Sequence, residues 1–163
     1  MKINRKSKGF TIIEVVLVLA IAGLIFMMVF IALPALQRSQ RDTQRKSDLS
    51  RAMTGVTSYT QNNNGSLPTN WATFTTQYLT KAGDSFIDPS GAGDNDTSAT
   101  YYGFKSSSAV TLASSFDSTT QNIIYYTTGA TCGAGGSITS GAGNRKVALR
   151  MYLEGGGVTC QNN

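Results

Sequence analysis

From Phe10 to Leu36 the chain is apolar with one ionisable interruption, Glu14, and no Lys, Arg or Asp. At about 1.5 Å per residue such a run makes roughly 40 Å of helix, ample for a hydrocarbon core of about 30 Å. A helical pattern continues beyond it. Between Gln37 and Asn62 only Gly55 breaks a stretch otherwise free of Gly and Pro, and Leu49, Ala52 or Met53, Val56 and Tyr59 recur at steps of three and four. This outer half is amphipathic, whereas the inner half is hydrophobic all round. Asn62-Asn63-Asn64-Gly65 supplies a stop near Gln61, with Gly65 a candidate left-handed C-cap and Pro68 soon after. If continuous, the helix over residues 10–61 runs roughly 78 Å.

After Pro68 the periodicity changes. Asn70 is placed to cap a short helix reaching about Lys81, with Trp71, Phe74, Tyr78 and Leu79 at helical steps and Gly83 closing it. Strands are expected over 100–105, 122–128 and 146–154, and more weakly over 109–114. In the third, Val147, Leu149, Met151 and Leu153 alternate with Ala148, Arg150, Tyr152 and Glu154. The order predicts an α+β fold: a long N-terminal helix packed on a small antiparallel β-sheet head, one sheet face on the Leu49 to Tyr59 stripe and the other polar. The division is a leader over 1–9, a helix over 10–61 that is membrane-spanning over 10–36, and a head over 62–163.

Glu14 is the costly residue. A carboxylate at the centre of a bilayer helix costs about 2.5–3.5 kcal/mol on insertion scales, so it needs a partner. A secretory signal fits poorly: cleavage after Ala22 leaves an apolar start, and an h-region is normally about 7–15 residues without an acid. A retained signal anchor explains the length and leaves Glu14 alone. Cleavage between Gly9 and Phe10 instead creates an α-amine one helical turn from Glu14. A helix start also carries free N–H groups and a positive dipole end, so the acid of a neighbouring helix can serve it equally well.

These residues, KSKGFTIIEVVLVLAIAGL, resemble the class III signal of type IV pilins and their pseudopilin relatives. The resemblance implies cleavage after Gly9 by a prepilin peptidase, N-methylation of Phe10, and a role for Glu14 in docking subunits by neutralising a neighbour's N-terminus. It also implies a helix that loosens from Gly23 in the filament. Pro34 lies eleven residues after Gly23, later than the family's usual proline. The resemblance covers about the first 25 residues.

Charge changes the picture little. Of the 14 basic residues, Lys2, Arg5, Lys6 and Lys8 sit in the leader, and Arg38, Arg41, Arg45, Lys46 and Arg51 follow the apolar run. The remainder from Ala52 has five basic residues against six acidic ones, which argues against nucleic acid as a partner. Asp42 lies four residues from Arg38 and Lys46, and Asp48 three from Arg45 and Arg51, a spacing that predicts a solvated, salt-bridged stem in preference to a docking face for lipid head groups or subunits. The positive-inside counts are close to a tie. Cys132 and Cys160 tip it, because two cysteines in a Ser/Thr/Gly-rich domain suit an oxidising exterior, with the head outside and the leader in the cytoplasm. They are either bonded, as in the disulfide-bounded C-terminal region of the pilins they resemble, or free buried thiols.

Asp88, Asp94 and Asp96 have spacings that a calcium loop could use and resemble the Asp-Pro-x-Gly region of major pseudopilins. The alternative, a flexible acidic turn, fits the composition better, so no cofactor is expected. The chain has no histidine, no Cys-x-x-Cys and no phosphate-binding loop; Gly129 to Gly143 reads as a surface loop. A structural role follows, not an enzyme. The expected function is a type IV pilus subunit, held in the inner or cytoplasmic membrane as a single-pass precursor and polymerised through its apolar helix into an extracellular filament for adhesion, motility or DNA uptake. Its partners are the prepilin peptidase, identical or related subunits, and the pilus assembly platform. The alternatives are a pseudopilin of a secretion or competence system and a membrane-anchored surface-binding domain that never polymerises.

Overall fold

The structure is a computed structural model that describes residues 9–80, 86–90, 101–112, 116, 120 and 122–163. It divides into two compact units, residues 1–37 and 38–163. Helix α1, Ile12–Asn62, contributes to both and passes through Gly23 and Pro34 without interruption. In the first unit its large apolar side chains are exposed from Phe10 to Leu36. Pro34, inside the helix, has no N–H to donate to the carbonyl of Phe30 one turn earlier.

α1 ends as its sequence demands. Asn64 and Gly65 both take positive φ, 53° and 81°, and the Gly65 amide donates to the Thr60 carbonyl at 2.7 Å, satisfying a terminal acceptor. Asn70 accepts from the Thr73 amide at 3.1 Å and starts α2, Trp71–Phe74. The helix expected to reach Lys81 then widens into a π-helical segment, Thr75–Leu79; Lys81 and Gly83 lie outside the described residues. Gly55 is where this segment crosses α1. A Cβ there would sit 2.9 Å from Leu79 Cδ2 and 3.2 Å from Phe74 Cζ, so only glycine lets the two helices approach.

Six strands follow: β1 Gly103–Ser106, β2 Ile123–Thr128, β3 Ala130–Cys132, β4 Ile138–Ser140, β5 Val147–Tyr152 and β6 Val158–Asn162. One sheet has the order β1-β2-β5-β6, and β3 with β4 forms a second. The expectation of an antiparallel sheet needs correction, because β1 and β2 are parallel. Parallel neighbours need a crossover connection, which a hairpin cannot supply. Three further corrections belong here. Residues 109–112 form no strand, and 113–114 lie outside the described residues. The Gly129 to Gly143 stretch is not simply a loop, since β3 and β4 pair within it around Gly135 and Gly136 at φ 64° and 77°. β6 went unpredicted.

The main core joins Leu49, Ala52, Met53 and Val56 of α1 to Trp71, Phe74, Phe86, Ile124, Val147, Leu149 and Met151. Trp71 stacks on both Phe104 and Tyr126, with centroids 4.8 and 4.3 Å apart. The second sheet face is not polar and open as expected: every residue of β5 is buried. Ala148 packs there with Ala130 and Ile138 beside Cys132 and Cys160. Those cysteines are bonded, with Cα atoms 5.8 Å apart, so the β3–β4 sheet is tied covalently to edge strand β6.

Candidate functional site

Gly9 and Phe10 precede the helix, and Phe10 is almost wholly exposed. Thr11 stands at its N-cap. The Thr11 backbone amide and hydroxyl both donate to Glu14 Oε2 at 2.8 Å, and the Glu14 amide returns a longer bond to Thr11 Oγ1 at 3.4 Å. This is a reciprocal capping box, which satisfies N–H groups that a helix start leaves free. Its signal, Thr-x-x-Glu ahead of an apolar run, was present in the sequence and passed over in favour of the acid's charge. Both bonds use Oε2. Among the described residues no donor reaches Oε1, so the carboxylate has one oxygen set by its own helix and one open to another.

The outer half of α1 disposes of its charges differently. The solvated stem is overturned: Arg45 is fully buried, and Asp42 and Asp48 are buried with it. Arg45 Nε and Nη2 grip Asp88 in a two-point pair at 2.7 and 2.9 Å, while Nη1 reaches Asp42 at 3.2 Å and Glu154 at 3.4 Å. Its guanidinium lies 4.6 Å from the centroid of the Phe116 ring, a cation–π contact. Asp42 accepts the Glu154 and Gly155 amides, each at 2.7 Å, fixing the turn between β5 and β6 against α1. Arg41 closes a two-point pair on Glu154, and Arg38 adds a long contact at 3.8 Å. The Tyr102 hydroxyl donates to Asp48 at 3.2 Å.

The electrostatics follow from this packing. Burial opposes the charge on Arg45, yet Asp88, Glu154 and Asp42 outweigh it and hold the proton more firmly than usual. Glu154 is pulled down to about 2, chiefly by the Arg41 hydrogen bond. Burial pushes Asp48 upward, against the hydrogen bond from Tyr102. Burial also raises Tyr102, so its phenol stays neutral.

Of the calcium candidates, Asp88 engages Arg45 with both oxygens and accepts from the Ser90 amide and hydroxyl as well. Asp94 and Asp96 lie outside the described residues. Among the described residues no three His, Cys, Asp or Glu side chains gather in a metal-binding group. A groove of about 490 Å³ beside β1, lined by Trp71, Thr75, Thr76, Tyr101 and Phe104 among others, has no carboxylate or thiol among its described lining.

The helix start thus brings together an exposed Gly9–Phe10 pair, a capped acid four residues on, and an uncovered apolar helix behind it. Residues 4–30 match the prokaryotic N-terminal methylation motif. The match supports a type IV pilin or pseudopilin family and covers the Gly9–Phe10 pair, the capping box and most of the apolar run. It implies processing by a prepilin peptidase and assembly with other pilin subunits, and it points to a structural subunit. With the apolar helix it suggests a membrane-anchored precursor. No curated protein and no solved structure compared with the chain matches it.

Proposed function

We propose that the chain is the precursor of a type IV pilus subunit, cleaved after Gly9, methylated at the Phe10 amine and polymerised through residues 10–36 into an extracellular filament. One observation carries this reading: the methylation motif lies across a junction whose cleavage puts a new amine one turn from Glu14, an acid with a free oxygen. In the precursor, bilayer lipid covers the apolar helix. In the filament, neighbouring helices cover it, and each Glu14 meets the Phe10 amine of another subunit. Loosening of the helix between Gly23 and Pro34 belongs to the filament and is part of the same proposal.

The disulfide suits a head in an oxidising compartment, whether on the cell exterior or in the periplasm, so it supports a head outside the cytoplasm for either kind of subunit. Electron microscopy of sheared surface material, with mass spectrometry of the subunit, tests the proposal. Filaments built from a chain that begins at methylated Phe10 are expected. Filaments found only inside the envelope would transfer the chain to the pseudopilins, and a protein retaining Met1 without filaments would overturn the reading.

A further inference from the structure

Arg38, Arg41 and Arg45 share one face of α1, and the head engages them very unequally. Arg45 is wholly buried on Asp88, and Arg41 makes its two-point pair on Glu154 with 29% of its side chain exposed. Arg38 is 61% exposed, and its contact with Glu154 at 3.8 Å is too long for a hydrogen bond. Glu154 has little more to offer it: Oε2 already accepts from Arg41 and Arg45, and Oε1 from Arg41. The turn beyond Glu154 runs through Gly155, Gly156 and Gly157, all exposed, which carry no side chain to cover the guanidinium.

Position along the chain decides what lies next to that exposed fork. From Val15 to Leu36 the apolar part of α1 rises about 33 Å, close to the depth of a hydrocarbon core of about 30 Å. With Glu14 drawn to one interface, Gln37 enters the other. The head-group layer there is about 5–7 Å deep, which a helix crosses in about three to five residues. Arg38 falls inside that layer and Arg41 at its far edge. Lys46, another exposed cation of α1, stands about 12 Å farther along the axis than Arg38 and outside the layer. A long arginine side chain reaches a phosphate readily, and its paired N–H groups match two phosphate oxygens.

We propose that Arg38 binds the phosphate of an anionic phospholipid in the leaflet from which the head emerges. This rests on the reading that residues 10–36 span a bilayer before assembly, and it adds the class of lipid and the residue that holds it. An anionic head group is preferred because a zwitterionic one brings its own ammonium beside the phosphate and gains less from a second cation. Entry into a filament gives up this contact along with the lipid cover of the apolar helix.

The test places the full chain in nanodiscs of equal phosphatidylglycerol and phosphatidylcholine, releases it with non-ionic detergent and weighs the lipids it carries by native mass spectrometry. The leader cations contribute alike in every variant. Arg38→Gln should lower the ratio of bound phosphatidylglycerol to phosphatidylcholine about fivefold, the equivalent of about 1 kcal/mol for a basic residue beside an anionic surface. Lys46→Gln should leave the ratio unchanged. Trp71, the only tryptophan and a buried one, reports by its fluorescence that both variants keep the melting temperature of the wild-type head. An undiminished ratio in Arg38→Gln overturns the proposal and leaves the membrane span standing. An equal fall in Lys46→Gln also overturns it, by assigning the preference to diffuse charge. A chain that does not enter the nanodiscs overturns the span and the lipid site together.

Discussion

The two halves of α1 both carry charge where charge is expensive, and they handle it in opposite ways. In the inner half, Glu14 is exposed, bonded only to Thr11 one turn before it, with one oxygen uncommitted. In the outer half, Arg45, Asp42 and Arg41 are committed many times over, to a loop at Asp88 and a strand turn at Glu154. The outer charges fasten the head to its own stem. Among the described residues the inner charge fastens nothing beyond its own first turn, which fits the assembly role proposed for it. On the proposed function, a helix that serves one fold along half its length and a polymer along the other half keeps these two sets of charges apart.

The comparison breaks first at Arg45. Removing one member of a buried pair while leaving its carboxylates in place typically costs about 3–5 kcal/mol, so Arg45→Ala should lower the head's melting temperature more than any other single change considered. Trp71 fluorescence in a thermal melt reads it; a shift no larger than that of an exposed control such as Arg38→Ala would show that the network is ornamental. Next comes the disulfide. Replacing Cys132 and Cys160 by Ser releases a loop whose closure is worth roughly 3.5 kcal/mol in the chain-entropy account, and urea unfolding of the double variant should move accordingly.

Acid separates the two halves more gently. Glu154 is depressed in the fold, to about 2 against about 4.3 when unperturbed, so its contribution is complete above the unfolded value and is lost as pH falls through that window. Glu154→Gln should therefore flatten the melting temperature between about pH 4.3 and 2, and an unaltered acid limb would assign the dependence to other groups. The smallest effect is expected from calcium. With Asp88 engaged by Arg45, adding calcium should leave the melting temperature where it was. A rise abolished by Asp94→Asn or Asp96→Asn would restore the calcium loop.

Much of this was legible from local pattern. The apolar run, the Leu49 to Val56 stripe, the Asn64-Gly65 stop, the Asn70 cap and the cores of β2 and β5 are all written within a few residues of themselves. What escaped reading is non-local. Spacing along the helix offers Arg45 only a carboxylate on its own surface, Asp48 three residues away, which reads as a solvated pair; its actual partners include Asp42, three residues before it, and Asp88 and Glu154, 43 and 109 positions distant. The polar face of β5 was inferred from Arg150 and Tyr152, whose burial depends on a second sheet hidden in a glycine-rich stretch. The parallel β1–β2 pairing requires a crossover in place of a hairpin, and no turn signal records that. At the helix start the limit is of another kind: Thr11-x-x-Glu14 spells a capping box locally, and the charge of the acid in an apolar run is the louder signal.

Glu14→Ala, expressed in the filament-forming organism, puts the central claim to the most direct test. The account predicts a chain cleaved to Phe10, with an unchanged head melting temperature and few or no filaments. Filaments of normal number and length from that variant would contradict it.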